Sequence, residues 1–199
     1  MEMSNTNTTN TQLCVFGCLL TEGGLAIKSQ MLSWLNKYYK VFCVDQSPPG
    51  VLFEYPAIYY TCCMAVDTNS PVLYIHTKGA ANPNPVQHLV RDLWYKEYGT
   101  SNLMKYFNVV NTDIPTVASP LTSSDGITWF NSWIINSAAA KKILSRLTVS
   151  NNRYYYEQLF RNSTDINVVG ILSHTMDNID NIFEYVKSYS IISASSPIA

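Results

Sequence analysis

The stretch Val72-Leu-Tyr-Ile-His-Thr-Lys-Gly79 runs four strand-forming residues straight into an imidazole, a hydroxyl, an ammonium and a glycine. Each of these can do chemistry. His76 titrates near neutrality and can donate a hydrogen bond or ligate a metal. Lys78 carries a compact positive charge that suits an anionic group. Gly79 lets a ligand approach the backbone. The plainer alternative is a satisfied strand histidine followed by a solvated loop lysine.

Further candidates are carboxylates, which can take a proton from a hydroxyl when placed beside it. Asp45 closes the apolar run "KVFCVD" just before Pro-Pro. It can accept hydrogen bonds from a ribose or base, or simply open a turn. Asp125 lies in "TSSDG", a turn sequence leading into the aromatic segment Trp129-Phe-Asn-Ser-Trp133. Glu157 follows three tyrosines, Tyr155 among them, in "RYYYEQLF". Asp92 lies beside Arg91 on the charged face of a helical pattern, and His174 ends the apolar run "VVGILSH".

The elements that must position these residues follow from hydropathy spacing. Short apolar runs at 13–20, 40–45, 72–76 and 166–172 read as buried strands. Between them lie amphipathic stretches. Leu25, Met31, Leu32 and Leu35 fall near helical spacing, as do Val86, Leu89, Val90, Leu93 and Trp94, with Gly99 as a stop. "SNLMKYFNVV", "NRYYYEQLF" and "DNIDNIFEYV" read as further helices, and "SAAAKKIL" as one capped by Asn136 or Ser137. "PAIYYTCCMAVDT" fits helix or strand, and residues 116–137 mix strand and loop. Strands alternating with helices predict an α/β fold with a largely parallel sheet. Ligands of such folds bind beyond the carboxyl ends of the strands. That rule selects Gly17, Asp45, and His76 with Thr77, Lys78 and Gly79.

Composition narrows the class. The chain has 199 residues and a net charge of −1; 47% are hydrophobic and 14% charged. There is no basic stripe of the kind that holds nucleic acid, and no apolar run long enough to span a membrane. The polar residues 1–11 read as a disordered tail without signal-peptide character, and 193–199 as a second tail. Five cysteines, Cys14, Cys18, Cys43, Cys62 and Cys63, lie in or beside apolar runs without CxxC spacing. They read as reduced core thiols of a cytoplasmic protein. GxGxxG, Walker A, HExxH, GxSxG and Asp-x-Asp patterns are all absent from the sequence.

Five ordered blocks carry a resemblance: "VLYIHTKGA" (72–80), "VRDLWYKEYG" (90–99), "NLMKYFNVV" (102–110), "ITWFNSWIINSAAAKKIL" (127–144) and "NRYYYEQLF" (152–160). Together they resemble glycosyltransferase-like proteins of bacterial surface-polysaccharide clusters and large DNA viruses. The agreement spans roughly two-thirds of the chain, with one departure: "WFNSWII" stands where the family carries a "SGNFWW"-like block.

The resemblance implies a GT-A-like (Rossmann-like) single domain over 12–192, with a mixed, mostly parallel central sheet flanked by helices. Residues 12–80 would form its nucleotide-binding half and 81–192 its acceptor-binding half. It implies transfer of a hexose or deoxyhexose from a nucleoside-diphosphate sugar to a glycan, in a bacterium or a virus-infected cell. Gly17, Asp45, His76, Thr77, Lys78 and Gly79 would hold the nucleotide and diphosphate. Asp92, Trp129, Asn131, Trp133 and Tyr155 would contact the sugars, and Glu157 or Asp125 would serve as base. A manganese or magnesium ion is an option, with His76 and His174 as candidate ligands. The alternative is a non-catalytic nucleotide-sugar or glycan-binding module, a degenerate domain that has lost Asp-x-Asp.

Overall fold

The computed structural model describes residues 12–46, 54–77, 85–99, 102–150, 152–173 and 175–194. The first half alternates strictly: β1 (Gln12–Leu19), α1 (Glu22–Leu35), β2 (Tyr39–Gln46), α2 (Tyr55–Thr68), β3 (Val72–His76). Two helices follow, α3 (Pro85–Tyr98) and α4 (Leu103–Val110), and then β4 (Thr116–Leu121). A 3₁₀ turn (Trp129–Asn131) leads into β5 (Trp133–Ile135), α5 (Ser137–Leu144), α6 (Arg153–Glu157), β6 (Asn167–Ser173) and α7 (Ile179–Ala194). The helix-or-strand ambiguity of residues 56–68 resolves to helix. Ala57, Ile58, Thr61, Cys62 and Ala65 are buried at the spacing of one helical face. Pro56 starts the helix and Asn69, in the left-handed region at φ 47°, ends it.

All six strands form one sheet in the order β2-β1-β3-β5-β4-β6. β1 pairs in parallel with β2 and β3, and β4 with β6, whereas β5 runs antiparallel to both its neighbours. The sheet is therefore mixed and mostly parallel, as expected, and it continues through both expected halves of the chain. α1, α3, α4 and α7 cover one face, on Cys14, Phe16, Leu73 and Ile75. α2, α5 and α6 cover the other, on Val15, Val72, Tyr74 and Trp133. The alternation of neighbouring strand residues between the two clusters is the two-residue period of the strand.

Two expectations need correction. Leu25 is 54% exposed, because the buried face of α1 runs through Gly24, Met31 and Leu35, about one residue's rotation away. Cys43 is an exposed thiol rather than a core one. Asn136, not Ser137, caps α5, its Oδ1 accepting from Ala139 N at 2.9 Å. Gly99 does follow α3, and its lack of a side chain is a packing need. A Cβ there would overlap the Trp34 indole and sit 2.6 Å from the Tyr95 carbonyl. α7 continues to Ala194, beyond the expected end of the domain, and Asn178 Oδ1 accepts from Asp180 N at its start. Both the N-terminal tail (1–11) and residues 195–199 lie outside the described residues.

One buried carboxylate ties three helices of the first face. Glu97 on α3 is 1% exposed and accepts from Tyr106 Oη of α4 at 2.8 Å, from Asn102 Nδ2 at 3.3 Å and from Tyr189 Oη of α7. Burial, reinforced by this carboxylate, holds both tyrosine hydroxyls well above their usual pKa. No helix among the described residues is long and apolar enough to cross a membrane.

Gly170 marks the irregular end of the β4–β6 pairing, where the register shifts between Ser119 and Leu121. A Cβ at Gly170 would overlap the Ser173 carbonyl and lie 2.6 Å from Thr122 Oγ1. Gly170→Ala should therefore cost about 1–3 kcal/mol in urea unfolding. An unchanged midpoint would show that β6 does not approach β4 in this way.

Candidate functional site

The strand order reverses direction between β1 and β3. The chain leaves β1 for β2 on one side, then crosses back over β1 to lay β3 on the other. The carboxyl ends at such a switch point form the crevice where open α/β sheets bind ligands. Gly17 and His76 stand opposite each other there, and Thr77 N donates to Gly17 O at 3.0 Å. Registered neighbours share a face. Gly17 therefore lies beside His76 on the α2 side and puts no side chain over it.

His76 is 9% exposed. Its ring lies 5.9 Å from Tyr74 and meets Trp94 edge-on at 5.7 Å. Its Nε2 faces Oε1 of Glu54 at 3.6 Å. Glu54 is the residue just before α2, and its side chain makes no capping bond. A carboxylate at that position is favoured by the positive end of the helix dipole.

The second carboxylate oxygen is also held. Asn131 Nδ2 donates to Glu54 Oε2, and Asn131 Oδ1 accepts from the Trp133 indole at 2.9 Å. An indole can only donate and a carboxylate can only accept, so the amide has one orientation. Asn131 is fully buried, as is Trp133, whose ring packs on Tyr74 at 4.8 Å and on Phe160 at 5.3 Å. The backbone is bent to aim the amide. Phe130 (φ 64°) and Asn131 (φ 50°) are consecutive residues in the left-handed region. Such strain persists only where surroundings over-determine it, and it gathers at functional sites. Burial, and then the charge of Glu54, hold the Tyr74 hydroxyl well above its usual pKa.

Of the residues singled out from sequence, Gly17, His76, Thr77, Asn131 and Trp133 thus converge. Asp45 reaches the same edge of the sheet but the opposite face, since it registers with Cys18 rather than Gly17. There Lys28 Nζ donates to both its oxygens, at 2.7 and 2.8 Å, and this bond above all holds its carboxyl below the usual range. Partial desolvation, and then its hydrogen bond to Asp45, raises the neighbouring Cys43 thiol to about 11.

Asp125 joins a different network. Ser123 Oγ donates to it and Arg161 Nε reaches it at 2.6 Å. The Ser123 hydroxyl first, then Arg161, lowers its carboxyl. Trp129 turns toward the segment before α7, its indole donating to the Met176 carbonyl at 2.7 Å. Tyr155 lines a cleft of about 400 Å³ with Arg146, Gln158, Arg161 and Asp165, and its hydroxyl accepts from Thr148 N at 3.3 Å. Glu157 ends α6, and Asp92 is exposed on α3. Lys78, Gly79 and His174 lie outside the described residues.

Sequence reasoning missed Glu54. Its signal was an acidic residue two places before Pro56, the pattern that opens a helix. A helix opening there returns from the carboxyl edge of the sheet, which puts its first carboxylate beside the strand ends. Glu54 and His76 offer two donors, but no group of three or more His, Cys, Asp and Glu that could hold a metal occurs among the described residues.

Asn131→Asp would set a second carboxylate against Glu54, and each would raise the other's pKa above its unfolded value. Stability from such groups is present below the unfolded pKa and is lost as pH rises through the folded one. Asn131→Asp should approach wild type near pH 4 and fall behind by about 1–3 kcal/mol at pH 7. Urea unfolding at the two pH values checks it; an equal gap at both means Asn131 does not face Glu54. Asp125 has the opposite sign. A lowered carboxyl stabilises above its unfolded pKa and loses that contribution as pH falls through the folded one. Its partly exposed pair is weak, so Asp125→Asn should cost at most about 1 kcal/mol at pH 7 and nothing once wild-type Asp125 is protonated.

No family model, curated protein or solved structure matches the chain.

Proposed function

We propose that this protein is a glycosyltransferase that moves a sugar from a nucleoside-diphosphate sugar to a glycan acceptor. The observation that carries the reading is the meeting of Gly17, His76, Thr77 and Asn131 at the switch point of a mostly parallel sheet. Two of the blocks behind the family resemblance, 72–80 and 127–144, supply the core of that cluster, bridged through Glu54. A sheet of this kind also suits the GT-A-like architecture that the resemblance implies.

The transfer breaks the bond between the anomeric carbon and a diphosphate oxygen, so negative charge grows on the leaving group. Lys78, two residues past His76, supplies a point charge for it. Glycine at positions 17 and 79 carries no side chain to obstruct the phosphates. Glu54 changes the part given to His76. A carboxylate 3.6 Å from the imidazole repels a diphosphate and suits hydroxyl groups instead. His76 and Glu54 therefore serve the sugar end of the donor, with the buried Asn131 and Trp133 behind them, and Lys78 the phosphate end. The missing Asp-x-Asp favours the second reading, a binding module without turnover.

Thermal unfolding with UDP-, GDP- and dTDP-sugars, with and without manganese, tests the proposal. One of them should stabilise the protein, by about 2.7 kcal/mol at a hundred times its Kd. Release of free nucleotide then separates the enzyme from the binding module. Lys78→Ala should lose that stabilisation and the release together; full retention of both would remove Lys78 from the diphosphate site.

A further inference from the structure

We infer that Glu54 is the proton acceptor of the sugar transfer and that Asn131 is the positioning residue that aims it. The inference rests on the glycosyltransferase reading and deepens it. Three observations carry it. First, Glu54 is the carboxylate that stands at the switch point with its oxygens individually assigned, Oε2 to Asn131 and Oε1 toward His76 at 3.6 Å. Two rival carboxylates are engaged elsewhere: Asp125 by Ser123 and Arg161, and Asp45 by Lys28 on the other face. Second, the Glu54 side chain keeps 24% exposure, whereas Asn131 and Trp133 behind it keep none. The carboxylate side chain is partly open to solvent and its support is dry. Third, two consecutive left-handed residues are spent on directing one amide. That amide has a single orientation, set by the indole behind it.

The groups around Glu54 come from each neighbouring element: His76 and Tyr74 from β3, Tyr55 from α2, Asn131 from the 3₁₀ turn and Tyr156 from α6. Burial first, and then the Glu54 charge, raises the Tyr74 hydroxyl, and burial above all raises that of Tyr156, so neither competes for the proton. In the transfer, the acceptor hydroxyl gives its proton to Glu54 Oε1. Its oxygen forms the new bond to the anomeric carbon. The bond from that carbon to the diphosphate breaks, and the electron pair leaves on the nucleoside diphosphate. The proton passes from Glu54 to solvent after product departs. Asn131 touches no reacting atom; it holds Oε2 so that Oε1 is presented.

The test measures donor-induced thermal shift and nucleotide release from UDP-, GDP- and dTDP-hexoses, with water as acceptor, across a pH series. Glu54→Gln is expected to keep the thermal shift, lose about 10²–10⁴-fold in rate and lose the acidic limb of the pH–rate profile. Glu54→Ala should regain rate on addition of formate, which a purely structural carboxylate would not allow. Asn131→Ala should lower the rate and displace the acidic limb without abolishing it. A Glu54→Gln rate within about threefold of wild type, with the shift kept, overturns the inference and leaves the glycosyltransferase reading standing. If Glu54→Gln fails to fold, Glu54→Asp is measured instead, and an undiminished rate there also overturns it. Wild-type protein that binds no nucleotide sugar, or binds without turnover, overturns the transferase reading and the inference with it.

Discussion

Three residues hold the two parts of the sheet together. β5, Trp133–Ile135, is the sole strand between β3 and β4, pairing antiparallel with both. So short a strand contributes few ladder bonds, and its ends must be fixed by other means. Asparagine does this at each end. Asn136 donates to the Thr112 and Ile114 carbonyls at 2.9 and 2.7 Å and accepts from Thr116 N at 3.1 Å while capping α5. Asn131 bonds the Trp133 indole and the Glu54 carboxylate. Slippage of β5 by one residue would turn Trp133 to the other face of the sheet and withdraw the support of the site.

The same strand explains why the site is dry on one side and open on the other. Trp133 sits between Tyr74 and Phe160, so the amide of Asn131 is backed by aromatic rings rather than water. Polar contacts in such surroundings are stronger than in water, and costly when left incomplete. The carboxylate at the outer end is the part of this chain of contacts that meets solvent.

The sequence made four of the six strands, most helices and the carboxyl-edge rule legible, because hydropathy periods are local, whereas β4 and β5 lay in a stretch that mixes strand and loop. His76, Gly17 and Asn131 were found from residue type, strand position and block order. Glu54 was not, because a lone acid before a proline has no periodicity, and what brings it to His76 is the return of the chain across β1. Asp125 and Asp45 looked equally available in sequence. Only the fold shows that Arg161 and Lys28, 36 and 17 residues away, occupy them. Leu25 and Cys43 misled for a simpler reason: an apolar neighbourhood in sequence does not fix which side of an element faces the core.

The turn before β5 has one more consequence. Its two left-handed residues point to opposite layers: Phe130 stacks on Phe183 of α7 at 6.3 Å, and Asn131 reaches Glu54 at the head of α2. A single peptide unit therefore links the last helix of one face to the crevice on the other. Detachment of α7 would release Phe130, and with it the strain that aims Asn131. In hydrogen exchange, α7 and the start of α2 should open as one cooperative unit, although they lie in different layers and far apart in the chain.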